Sequence, residues 1–175
     1  MGIRQDVFGL EQVYRLQVEG DWTNKNEVFM PSDSSSYSVS PWNYGYWAGG
    51  EDPSGTYSLV QRIDYSNDDI NPSSRGVLVA QVNGAAGISN VNFGYICGGH
   101  SGSGFVDQIS RLDFGNDTAT SVDKCNVSSS RQRMGATSNK SYGYMVGGGD
   151  PSNESTVDRL DFMNDTTNTV TKGPL

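Results

Sequence analysis

Two kinds of charged group in this chain invite a chemical reading. The first is an arginine two residues before an aspartate, which occurs as Arg62/Asp64, Arg111/Asp113 and Arg159/Asp161. Residues two apart on an extended strand share a face, so each pair sets a cation beside a carboxylate, as a ligand contact or as a structural pairing. Recurrence favours a structural task within or between units, because charged groups buried in a fold need each other. The second kind is acidic residues beside glycines, Glu51-Asp52-Pro53 and Asp150-Pro151. Carboxylates there suit Ca²⁺ in type, but that ion wants about six to eight oxygens, and the spacing of a calcium loop is missing. The expectation is solvated turns. With Tyr57, His100, Phe105 and Asn153 these loops are still the best candidates for a recognition surface, since binding residues concentrate on loops borne by rigid scaffolds. Tyr57 and Phe105 would add aromatic contact to a sugar, or else pack in the core.

Catalytic and cofactor chemistry finds no footing in the residue pattern. His100 is the single histidine, has no partner with zinc-ligand spacing, and reads as an exposed turn residue. Ser101-Gly-Ser-Gly104 lacks the strand–turn–helix context of a nucleophile elbow and the Gly-Lys-Ser/Thr ending of a phosphate loop. The carboxylates repeat with the scaffold, so no unique acid–base pair stands out. The expectation is a non-enzyme with no cofactor and no metal. Cys97 and Cys125 fall at non-equivalent repeat positions and read as packed thiols rather than a disulfide. Asn-x-Ser/Thr triplets at Asn116, Asn126, Asn139, Asn153 and Asn164 read as by-products of Asn-rich turns. The net charge is -8 with no Lys/Arg cluster, which argues against nucleic acid and against anionic membrane surfaces. No apolar run approaches the roughly 18 residues of a membrane span, and no secretory signal peptide is visible at the N-terminus.

The elements that must position these groups recur with a period of about 49 residues. Copies open on Tyr44-Gly-Tyr-Trp-Ala-Gly-Gly50, Phe93-Gly-Tyr-Ile-Cys-Gly-Gly99 and Tyr142-Gly-Tyr-Met-Val-Gly-Gly148. The Arg-(Ile/Leu)-Asp-(Tyr/Phe) stretch follows, then Asn67-Asp68, Asn116-Asp117 or Asn164-Asp165. Such a period means an array of like supersecondary units. The first strand sets Tyr44, Tyr46 and Ala48 on one face, and the Gly-Gly pair that ends it permits positive φ or close backbone approach. The second sets Val60, Arg62 and Asp64 on one face, and Asn-Asp forms the hairpin turn after it. A third strand is expected through Ile70, Ala119–Val122 or Thr169–Thr171, and a fourth at Val77–Val82 and Arg131–Ala136. The organisation expected is an N-terminal anchoring arm over 1–30, short and helical or a cap on the first repeat, and a Ser-rich tether over 31–42. Repeats then occupy 43–91, 92–140 and 141–175, the last incomplete. Missing units would come from a longer polypeptide, the preferred expectation, or from several chains sharing one ring.

Four short strands per unit, with aromatics and Gly-Gly at fixed positions, fit a propeller blade. The hydrophobic run into Gly-Gly resembles the kelch motif, although the tryptophan usual later in a kelch blade is missing. The expected fold is therefore all-β, with kelch-like β-propeller blades, and a stacked β array is the alternative. The longer phrase Ser/Thr-Val-Asp-Arg-Leu-Asp-Phe-x-Asn-Asp-Thr, best carried by Gln108–Thr118 and Thr156–Thr166, resembles repeats in virion proteins of tailed bacteriophages, particularly those of marine cyanobacteria. The opening Asp6–Trp22 also looks like the start of such proteins. That resemblance implies a structural, homo-oligomeric part of a virion, assembled in the host cytoplasm. It would be a tail fibre or a tail or neck appendage, with a head decoration or a cytosolic kelch-like interaction module as alternatives. Residues 1–40 would bind other virion proteins, and the repeats would face a host glycan or receptor.

Overall fold

The computed structural model describes residues 36–39, 43–149 and 152–175, so the expected arm over 1–30 and most of the tether lie outside the described residues. Short β-branched and aromatic runs broken by Gly, Asn, Asp and Ser specify strands and turns, and the described fold is all-β apart from one short 3-10 turn at Phe114–Asn116. Sheet 1 comprises β1 (Ser36–Val39), β2 (Tyr44–Ala48), β5 (Leu59–Asp64) and β6 (Ser73–Val77), with a small hairpin of β3 (Glu51–Asp52) and β4 (Gly55–Thr56) between β2 and β5. Sheet 2 comprises β7 (Ala86–Ser89), β8 (Phe93–His100), β9 (Phe105–Asp113) and β10 (Val122–Asn126). Sheet 3 comprises β11 (Gly135–Ser138), β12 (Tyr142–Val146), β13 (Thr156–Asp161) and β14 (Val170–Pro174). Each is an antiparallel meander in chain order, and β7 lies beside both β1 and β11.

These boundaries correct the expected ones by about one strand. A sheet begins before its Tyr-Gly-Tyr strand, so Ser36–Val39 is a paired strand rather than tether, and sheet 3 carries all four strands. The expected fourth strands fall mostly on connections, with Val77 ending β6 and Gly135 and Ala136 opening β11. Residues 78–85 lead from sheet 1 to sheet 2, and 127–134 from sheet 2 to the start of β11. The expected third strand also shifts, because Asn-Asp sits inside a long connection and not in a two-residue hairpin. Asp64, Asp113 and Asp161 start that connection by accepting the N–H two residues on, from Ser66 (2.9 Å), Gly115 (2.8 Å) and Met163 (3.0 Å). Such Asx turns consume the carboxylate locally.

The core lies between sheets. Alternation along sheet 2 sends Tyr95, Cys97 and Ile109 toward sheet 3, where Met145 and Leu160 meet them. It sends Ile96 and Leu112 toward sheet 1, against Tyr46, Ala48 and Val60. The sheets pack face to face, and one period-2 pattern serves two interfaces. The Gly-Gly pairs show why glycine is needed there: φ is +75° and +114° at Gly49 and Gly50, and +59° and +108° at Gly98 and Gly99. A Cβ on Gly49 would strike the Val82 carbonyl and one on Gly98 the Arg131 carbonyl, both on the connections to the next sheet. Gly50 and Gly99 donate their N–H groups to those same carbonyls, at 2.8 and 2.9 Å.

Candidate functional site

The most organised polar chemistry is the joint between successive sheets. Tyr46 stands opposite Arg62 across β2 and β5, and Tyr95 stands opposite Arg111 across β8 and β9. The third member is a cation at a β-bulge in the outer strand: Arg75 falls within the shift between the Leu59 and Gln61 pairings, and Lys124 between Asp123 and Cys125. A bulge re-aims a side chain, and both cations turn toward the Asn-Asp connection of the following sheet. Asp117 accepts from the Tyr46 hydroxyl (2.9 Å), Arg62 (2.8 Å) and both Nε and Nη2 of Arg75 (2.9 and 2.6 Å). Asp165 accepts from the Tyr95 hydroxyl (3.1 Å) and Arg111 (2.7 Å), with Lys124 Nζ 3.1 Å away. The aromatic ending each Arg-x-Asp-aromatic run completes the joint, Phe114 stacking on Tyr46 at 4.9 Å and Phe162 on Tyr95 at 5.1 Å.

The carboxylate that each joined arginine meets is thus not the one two residues on but one about 54 positions later. Burial alone would push the Asp117 carboxyl up, but the hydrogen bonds of Arg75 and Tyr46 and the Arg62 charge hold it below the usual range. Asp165 is held down against its burial in the same way by Lys124, Arg111 and Tyr95. The phenols respond oppositely: burial and Asp117 push Tyr46 up to about 12, and burial with Asp165 raises Tyr95 further. Arg62 and Arg111 also lie over the Tyr44 and Phe93 rings at 4.0 and 4.1 Å, as Arg159 lies over Tyr142 at 4.3 Å. Sequence reading singled out the arginines but missed Asp117 and Asp165. The available signal was the shared spacing: Tyr46, Tyr95 and Tyr144 are 49 and 49 apart, while Asp68/117/165 and Arg75/Lys124/Lys172 repeat at 49 and 48.

One charged pair has no counterpart at the other joint. Arg131, on the connection to sheet 3, is fully buried with Asp158, at 2.7 Å. Asp158 also accepts from the N–H and hydroxyl of Ser128 (3.0 and 2.8 Å), and Arg131 donates to the Gly147 carbonyl (2.9 Å) and Ser129 Oγ (2.8 Å). Every buried charge there is matched, and the Asp158 carboxyl lies low because the Ser128 and Arg131 bonds outweigh its burial.

The expected recognition loops are brought together only in part. Asn83 donates to Glu51 (2.6 Å) and exchanges backbone bonds with His100 (2.9 Å each way). His100 is half-buried at a strand end rather than in an exposed turn; its Nδ1 accepts from Gly102 and its ring meets Phe105 edge-on. Asp52 and Tyr57 sit on the β3–β4 hairpin, where the Tyr57 hydroxyl and the Ser54 N–H hold the Asp52 carboxyl down. Asn153 forms an isolated bridge with Gly149, past the end of β12, and Asp150 lies outside the described residues. A concavity lies elsewhere among the described residues, an open groove of about 460 Å³ between sheets 1 and 2, walled by Tyr44, Phe93 and Phe114 and edged by Asn43, Asn92 and Asp113. Aromatic faces with amide and carboxylate rims suit flat polar ligands such as sugars. Cys97 and Cys125 are buried free thiols, and burial raises both, Cys125 to about 11. Among the described residues no group of His, Cys, Asp and Glu is placed to hold a metal ion, and no helix is long and apolar enough to cross a membrane. Comparison with known proteins finds no matching family model and no similar curated protein.

Proposed function

We propose that this chain is a non-enzymatic structural component of a tailed-phage virion, most simply a tail fibre or a tail or neck appendage. Its sheets are read as kelch-like propeller blades, anchored through residues 1–40 and displayed outward. The observation that carries this reading is the repeated joint: ionisable side chains of the described repeats are spent on locking one unit to the next through Asp117 and Asp165. A rigid array of that kind serves reach and display. The resemblance of Gln108–Thr118 and Thr156–Thr166 to phage virion repeats supplies the particle as the setting. The aromatic groove between the first two sheets is the surface best suited to a host glycan.

Mass spectrometry of intact, density-banded particles from the natural host tests the assignment. The chain should band with particles at a fixed copy number. Recovery only from the soluble lysate would replace this reading with a cytosolic kelch-like interaction module. Deleting residues 1–30 should abolish incorporation while leaving the repeats folded, and normal incorporation of the truncated chain would remove the anchor assignment.

A further inference from the structure

Sheet 3 ends in a socket that no carboxylate of the described residues enters. Tyr144 stands opposite Arg159, and Lys172 occupies the bulge between Thr171 and Gly173, as Tyr46/Arg62/Arg75 and Tyr95/Arg111/Lys124 do in sheets 1 and 2. No carboxylate among the described residues meets this third set, and Arg159 Nε is buried with no hydrogen-bond partner. An unpaired buried donor is costly. The apolar part is equally unfilled: Val146 and Val157 are only half-buried, although their counterparts Ala48, Cys97, Val60 and Ile109 are 0–4% exposed.

Sheet 1 carries the matching plug on its opposite face. Asp68 holds the place of Asp117 and Asp165, is exposed, and has no ion pair among the described residues. Trp47 and Ile63 hold the places of Ile96 and Leu112, which are 5% and 1% exposed against sheet 1, yet both remain half-exposed.

We infer that a second copy of this chain docks head-to-tail, its Asn67-Asp68 connection entering the Tyr144/Arg159/Lys172 socket while Trp47 and Ile63 cover Val146 and Val157. The contact reproduces the two joints already present inside the chain, with the same residue types in the same places. It is heterologous, so closure decides its size. Closure into one ring would take roughly four to eight blades in all. That closure rests on the blade reading above, whereas the contact does not.

The test uses the 175-residue chain and two variants, one on each face, Asp68→Arg and Arg159→Glu. Sedimentation at low salt and tens of micromolar should give twice the 18.9 kDa chain mass for the parent protein. Each variant alone should fall to the single-chain mass, its dissociation constant weakened roughly 100-fold, with an unchanged circular dichroism spectrum. Mixing the two variants should restore the dimer, because each supplies the intact face that the other lacks and the altered residues are themselves opposite in charge. A parent chain that stays monomeric, variants that associate like the parent, or a mixture that does not reassociate would each overturn the contact. A ladder of longer assemblies that is still lost in the variants would keep the contact and overturn the closed propeller.

Discussion

Asp117 and Asp165 each gather a phenol and two cations from the preceding sheet, and their protonation should be felt as loss of the fold. Both carboxyls, and Asp158, are held below the usual range, so between those lowered values and about pH 4 the unfolded chain binds more protons. Their stabilisation is complete above about pH 4 and is lost as pH falls through the lowered values. Thermal melts should therefore be level in this respect from neutral pH down to about 5 and fall steeply below 4. Tyr46 and Tyr95 act at the other end. Their raised values keep the phenols protonated in the fold, so stability should fall as pH rises above about 10; a melting temperature that holds to pH 12 would count against buried phenol–carboxylate bonds. At the fully buried Arg131–Asp158 pair, Arg131→Ala should cost about 3–5 kcal/mol by leaving a buried carboxylate unmatched. Arg131→Met with Asp158→Leu should cost much less, and urea melts of the single and double variants measure the difference.

The elements are joined so tightly that backbone spacing is itself a constraint. A Cβ on Gly76 in β6 would strike the Ala119 carbonyl in the connection between β9 and β10, and the Gly76 N–H donates to the Asp117 carbonyl at 2.8 Å. Gly76→Ala should thus pry the first joint open and cost about 2 kcal/mol. Gly104→Ala, where nothing lies within 4 Å of the added carbon, should be nearly neutral, and thermal melts of the two decide it. The strands with strong alternation were legible from sequence: Tyr44–Ala48 and Leu59–Asp64 emerged with their faces correctly assigned. The strands Ala86–Ser89 and Gly135–Ser138 were not, because short runs of Ala, Gly, Ser and Thr carry little strand signal and are fixed by pairing with β8 and β12. The unit boundary slipped by a strand for that reason. Asp64, Asp113 and Asp161 were over-read as partners of the neighbouring arginines, since strand periodicity reports which residues share a face but not which sheet lies across from it. The true partners were hidden in a connection whose Asn-Asp pair resembles an ordinary turn.

Across the whole molecule, one rule accounts for how the units hold together and for what their outer faces offer: a carboxylate from the Asn-Asp connection fills a tyrosine–arginine–cation socket on the preceding sheet. The virion reading uses this rule for rigidity, and the head-to-tail reading applies it between copies. The three equivalent aspartates provide an internal comparison, because Asp117 and Asp165 are socketed while Asp68 is exposed in the single chain. The decisive measurement is chemical unfolding of Asp68→Asn, Asp117→Asn and Asp165→Asn at high salt and sub-micromolar concentration, conditions that favour the single chain. The account predicts losses of about 3 kcal/mol for Asp117→Asn and Asp165→Asn and a change within about 0.5 kcal/mol for Asp68→Asn. Equal losses at all three positions would mean that the aspartate serves its own turn, and would contradict the socket as the organising contact.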